Sequence, residues 1–106
     1  YQLREFKGID ISYGKEGGGY LVISSYGNSS FGVIDKKTYK FIGKFKIKGA
    51  RRSLGLAITN RNLGPQYKQG VFACHTLIKG KGNILISRWG QILNLILPES
   101  VTPGSP

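Results

Sequence analysis

Short apolar-rich runs recur along this chain, each closed within a few residues by Gly, Asn, Ser or Pro, and no other feature restricts its fold so severely. "FKGIDISYG" alternates Ile9 and Ile11 with Asp10 and Ser12, the period of a half-buried strand. "GKEGGG" then turns the chain into "YLVISSYG", a more continuously apolar strand. "NSS" leads into "FGVID", and "KKT" into "YKFIGKFKIKG". Four strands at this spacing predict an antiparallel meander sheet. After "KGARRS" come "LGLAIT" and "GVFACHTLI", set around the Pro/Gly-rich "NRNLGPQYKQG", and "KGKGN" turns into "ILISRW". The expectation is all-β, built from antiparallel meander sheets. "WGQILNLIL" places Ile92, Leu93, Ile96 and Leu97 at helical spacing while Gly90 weakens a long helix, so a short C-terminal helix and a last strand both fit. "PESVTPGSP" reads as an irregular exposed tail.

The fourth run alternates most cleanly. Tyr39, Phe41, Phe45 and Ile47 fall on one face with Gly43 among them, and Lys40, Ile42, Lys44, Lys46 and Lys48 on the other. Such a lysine stripe suits phosphate binding, and it equally suits an outer strand protected by charge from edge-to-edge pairing; the second reading is preferred.

Charge is distributed unevenly along the 106 residues, a length typical of one domain. The five acids are Glu5, Asp10, Glu16, Asp35 and Glu99, so no negative side chain lies between Lys36 and Pro98, a stretch holding thirteen of the sixteen Lys and Arg. A field of that sign attracts polyanions and is screened by salt. Phosphorylated small molecules, nucleic acid, anionic lipid or an acidic partner all satisfy it. No apolar run approaches the ~18 residues of a membrane span. The opening "YQLREFKG" carries neither an initiator Met nor the apolar core of a signal peptide, as expected of a processed product or a piece of a longer protein. A lone cysteine, Cys74, excludes an internal disulfide.

Taken in order, "GYLVISSYGNSSFGVID", "YKFIGKFKI", "LGLAITNRNLGPQYKQGVFACH" and "ILISRWGQIL" resemble the C-terminal part of the β-propeller phytases. The matching residues are Gly8, Gly19, Tyr20, Leu21, Ser24, Ser25, Gly27, Asn28, Ser30, Gly55, Leu63, Gly64, Pro65, Tyr67, Gly70, Phe72 and Trp89. The resemblance implies a partial β-propeller of about two blades, 1–48 and 49–97, each blade a four-stranded antiparallel sheet, with 98–106 as the tail. A two-blade piece leaves open faces, so remaining propeller blades or self-association are implied as partners. It further implies a secreted or periplasmic location, phytate or another polyanion as ligand, and an ancestral reaction, calcium-dependent hydrolysis of phosphate monoesters.

Calcium takes hard oxygen ligands, mostly carboxylates in strong sites. At the matching positions this chain departs from the family. Lys7-Gly8 and Leu54-Gly55 stand where the family pattern has an acid before glycine, Thr76-Leu77 stands for a third Asp-Gly, and Tyr26 replaces the glutamine of S-S-Q-G. No cofactor is therefore expected, calcium included, and the segment is expected to be inactive by itself. The loop "KGARRSLG" offers Arg51 and Arg52 instead, and with Lys7 and Tyr26 these form the expected phosphate-binding set.

Other chemistries fit less well. Cys74 and His75 are adjacent in a strand and point to opposite faces, which argues against a nucleophile–base pair and leaves Cys74 as a small buried hydrophobe. The acids lie near turns or chain ends, unlike the paired carboxylates of acid–base hydrolysis. A structural, self-assembling propeller fragment is one alternative. Nucleic-acid binding is another, since Tyr13, Tyr20, Tyr26, Phe31, Tyr39, Tyr67 and Trp89 are interleaved with cations.

Overall fold

The computed structural model describes residues 5–96; Leu97 and the expected tail, 98–106, lie outside the described residues. Strands β1 (Phe6–Tyr13), β2 (Gly19–Ser25), β3 (Ser30–Asp35) and β4 (Phe41–Phe45) pair antiparallel in the order β1-β2-β3-β4. A second antiparallel sheet has the order β5-β6-β7, formed by Leu56–Thr59, Val71–Ile78 and Lys81–Arg88. Helix α1 (Trp89–Ile96) follows directly. The chain is all-β with antiparallel meander sheets, and the terminal apolar segment resolves as the helix. Helical spacing prevails there because Ile92 and Leu93 both reach the core on one side of α1, beside the buried Trp89. No helix among the described residues is long and apolar enough to cross a membrane.

The two sheets meet through aromatic rings. Phe31 and Phe45 stack with centroids 5.2 Å apart, and Phe72 from β6 meets both edge-on at 5.0 and 5.3 Å. Trp89 at the head of α1 stacks on Phe72 at 6.3 Å. Val22, Val33 and Cys74 fill the space around them. A glycine secures the loop leading into β6: at Gly70, with φ +94°, a Cβ would stand 1.8 Å from the Thr59 carbonyl oxygen.

Alternation in β1 is as expected, but the side turned to the core is the polar one. Asp10 Oδ2 accepts from the Ile58 N–H of β5 at 2.7 Å, and Ser12 Oγ accepts from Trp89 Nε1 at 2.9 Å. Asp10 thus lies in mid-strand with a structural task, away from any turn or chain end. Ile9 is 60 % exposed on the opposite face. Register places Ile9 beside Ile23, and Ile11, Leu21, Ile34 and Phe41 in one row across that same face. The first sheet is therefore apolar on both sides.

β4 departs from the expected pattern. Tyr39 belongs to the preceding turn, at φ +59° and largely exposed, so the strand begins at Phe41. Ile34 pairs with Phe41 and Val33 with Gly43, leaving Ile42 as the extra residue of a bulge. The bulge resets the phase: Ile42 packs against the core instead of joining the lysine face. Of the four lysines only Lys44 lies within the strand, on what is an edge of the sheet. β7 begins earlier than expected, at Lys81, because Lys79-Gly80 alone makes the turn.

Phe72→Ala should lower the unfolding free energy by ~3–5 kcal/mol, because it removes the ring common to both sheets. Ile9→Ala should change it by less than about 0.5 kcal/mol. Urea melts compare them, and equal losses would contradict this account of the core. In the β3–β4 turn, Asp35 Oδ1 accepts from the Thr38 and Lys37 N–H groups at 2.9 and 2.8 Å. The Thr38 amide above all holds its carboxyl below the usual carboxylate range. A depressed carboxyl stabilises the fold above its unfolded-state pKa and loses that contribution as pH falls through the folded one. Asp35→Asn should therefore show a shallower acid decline in Tm, by a small amount because the carboxylate is exposed.

Candidate anion site

Between the sheets runs the loop 49–55, and its backbone is held from both sides. Sheet one contributes Ser24 Oγ, which donates to the Ser53 carbonyl, and Ser29 Oγ, which accepts from the Arg52 N–H at 3.1 Å. Sheet two contributes Thr76 Oγ1, which accepts from the Arg51 N–H at 2.7 Å and lies 3.3 Å from the Gly49 carbonyl oxygen. The Leu77 and His75 N–H groups donate to the Arg51 and Gly55 carbonyls at 3.3 and 3.0 Å. Ser24 and Thr76 are fully buried. So clamped, Arg52 sits in the left-handed region at φ +49°, a conformation a non-glycine residue keeps only where its surroundings impose it.

The clamp brings three of the four expected residues together. Lys7 Nζ lies over the Tyr26 ring at 5.7 Å from its centroid, and the Arg52 guanidinium carbon lies over the same ring at 5.7 Å. The Tyr26 N–H donates to the Glu5 carbonyl at 3.0 Å, which fixes the turn carrying the ring. Arg51 is adjacent, its side chain exposed and its backbone pinned by Thr76. Close approach of the two strand starts requires a glycine: a Cβ on Gly8 would come 2.7 Å from the Leu54 carbonyl oxygen. Lys7-Gly8 and Leu54-Gly55 thus meet in space.

The residues present do not suit a calcium ion. Among the described residues no group of three or more His, Cys, Asp or Glu could hold a metal. Asp10 gives one oxygen to the Ile11 N–H and the other to the Ile58 N–H, and Asp35 binds the amides of its own turn. A lysine and a leucine flank the meeting glycines.

Other candidates resolve differently. Cys74 is 2 % exposed and burial pushes its thiol up, so the reactive thiolate is suppressed. His75 points to the opposite face of β6. Of the aromatics considered for base stacking, Phe31 and Trp89 are buried in the core, and Tyr20 packs against it. Tyr13 carries Lys36 over its ring, at the far end of the first sheet. The hydroxyls that clamp the loop were not legible as functional residues. Thr76 gave a signal only as the substitute at an expected acid position, and Ser24 only as a residue matching the family motif.

Thr76→Val should lower stability by ~1–3 kcal/mol, because the Arg51 N–H loses its acceptor in a dry environment. Thr76→Ser should retain most of it. Chemical denaturation distinguishes them, and a silent valine variant would show that Thr76 does not hold the loop.

Comparison with known proteins agrees with the arrangement of motifs. The phytase family profile matches residues 3–94. The 3-phytase of Bacillus subtilis (strain 168) is 29 % identical over 101 residues, an alignment covering 83 % of this chain and 26 % of that protein. The chain thus spans about a quarter of that relative's length. With the family profile matching almost its whole length, the chain belongs to the phytase family.

Proposed function

We propose that this chain is a partial propeller module of the phytase family, about two blades divided near 48–49, that binds phosphate groups without calcium and is not hydrolytic by itself. One observation carries the reading: Lys7 and Arg52 are drawn over a single ring, Tyr26, and so lie within about 11 Å of each other. Two like charges so placed repel at a range comparable with the screening length, and an anion between them removes that cost. Arg51 adds a third cation and its fork of donors suits phosphate oxygens. Phytate, a compact polyanion of phosphate monoesters, is the ligand that the family relationship favours. A secreted or periplasmic location accompanies the same reading.

A specific observation also favours assembly with further blades or with a second copy. Phe6, Ile9, Ile84 and Ile86 are each about 60 % or more exposed, on the sheet surfaces turned away from the shared core. Sheets apolar on both faces suit a stack in which each is covered twice. Binding of nucleic acid is less favoured, because Tyr26 is already occupied by cations.

Calorimetry with phytate, in calcium and in chelator, at two salt concentrations tests the proposal. Binding that ignores the chelator and weakens with salt is expected, with Lys7→Ala and Arg52→Ala each costing roughly tenfold in affinity. Binding that requires calcium, or release of phosphate from phytate by this chain alone, would overturn it.

A further inference from the structure

The anion-binding end of the molecule is wider than the cluster around Tyr26. Antiparallel pairing collects at one end the start of β1, the close of β2, the loop 49–55, the close of β6 and the start of β7. Lys7, Arg51, Arg52, Lys79 and Lys81 all sit there and are exposed. The opposite end has a different character: it holds Glu16 and Asp35 among its lysines, and a cleft of about 440 Å³ lined partly by amides such as Gln69 and Gln91.

A series of contacts connects the cations one to the next. Arg52 covers Tyr26 beside Lys7, and Arg51 immediately precedes it in the clamped loop. The Leu77 N–H donates to the Arg51 carbonyl, and two residues later the chain enters the Lys79-Gly80 turn, with Ile78 paired to Lys81. Lys79 stands at φ +50°, so the hairpin holds a bulky cation where glycine or asparagine would be easier. Crossing β5, β6 and β7 at ~4.8 Å per strand adds about 10 Å to the span of the Tyr26 cluster. Three of the four described acids lie elsewhere or are engaged: Asp10 and Asp35 are bound by backbone amides, and Glu16 lies at the other end. Only Glu5 borders it.

We infer that this row is a track for an extended, linear polyanion of the inorganic polyphosphate type, running from Lys7 and Arg52 to the Lys79–Lys81 hairpin. A compact phosphate ester engages the Tyr26 cluster alone, whereas a linear chain reaches the hairpin as well. The chemistry favours a polymer without bases, since the aromatic ring at the Lys7–Arg52 end of the track is engaged by two cations and presents no free stacking platform. This inference rests on the anion-binding reading above and extends it.

The test titrates the chain with orthophosphate, phytate, tripolyphosphate and long-chain polyphosphate, at equal phosphate concentration and two salt concentrations. Affinity should rise from tripolyphosphate to the long chain. The double variant Lys79→Asn/Lys81→Ala should weaken long-chain binding about tenfold and reduce its salt slope by roughly 1.4, the loss of two phosphate contacts. It should leave phytate and tripolyphosphate within about twofold, and Lys79→Arg/Lys81→Arg should restore the long-chain affinity. Equal affinity for short and long chains, or a double variant that weakens every ligand alike, overturns the track while leaving the Tyr26 cluster intact. A single-stranded oligonucleotide that binds as tightly as polyphosphate also overturns it, in favour of nucleic acid. Failure of every ligand, phytate included, removes the anion-binding reading itself.

Discussion

Everything positioned at the end that carries Lys7, Arg51 and Arg52 depends on the contact of Phe72 with Phe31 and Phe45. These rings are the point at which two separately hydrogen-bonded sheets become one body. Burying a ring of this size is worth about 1.5–3 kcal/mol from area alone, an upper figure because unfolded chains already bury some surface. Edge-on and stacked geometry adds to it. Trp89 extends the cluster to the helix, and its indole N–H then needs a buried acceptor. Ser12 supplies one, which is why β1 turns its polar side inward. A single aromatic junction thus sets the orientation of a strand far from it in sequence.

The junction also leaves the loop 49–55 between two walls, and the way it is fastened there decides the character of the site. Hydroxyls do the fastening: Ser24, Ser29 and Thr76 bind its backbone without introducing charge. Carboxylates fastened through a metal would achieve similar rigidity, with the charge of the ion buried among its ligands. Neutral clamps allow the arginines to project outward with their charge unspent, and they hold Arg52 in a backbone conformation it would not otherwise keep. The rigidity matters for recognition. A preorganised guanidinium loses less freedom on binding a phosphate than one on a mobile loop.

Much of the fold was legible because turn chemistry and strand alternation are local properties. The meander order, the opposite-facing Cys74 and His75, and the apolar spacing of Ile92, Leu93 and Ile96 each follow from neighbours in sequence. What escaped depended on distant partners. Which side of β1 is buried was fixed by Ile58 and Trp89, and no pattern within "FKGIDISYG" encodes that. Phase in β4 was lost at Ile42, where one unpaired residue shifts the alternation. For the site, the meeting of Lys7, Tyr26 and Arg52 was legible through motif positions, whereas the hydroxyl clamp was not. Serine and threonine are ordinary in turns and strands, and only long-range hydrogen bonds distinguish those that fasten a loop.

Polarity within the strands bears on what surrounds this chain. An antiparallel sheet with one wet face normally alternates apolar and polar side chains, and the wet face is polar. In the first sheet that rule fails in a particular manner: the interior row includes Asp10 and Ser12, while the outer rows carry Ile9, Ile11, Ile23, Leu21, Ile34 and Phe41. In the second, Ile84 and Ile86 stand on the outer side opposite His75 and Ala73. Water is a poor neighbour for two such faces on one small body. Edge protection, by contrast, is in place, since Lys44 on β4 and the charged ends of β7 discourage pairing at the sheet margins. The sequence therefore resists growth along its strands' edges and invites contact through its sheet faces. That asymmetry is expected of a unit stacked face to face with similar units, and it leaves the basic end free for a ligand whichever neighbours cover the faces.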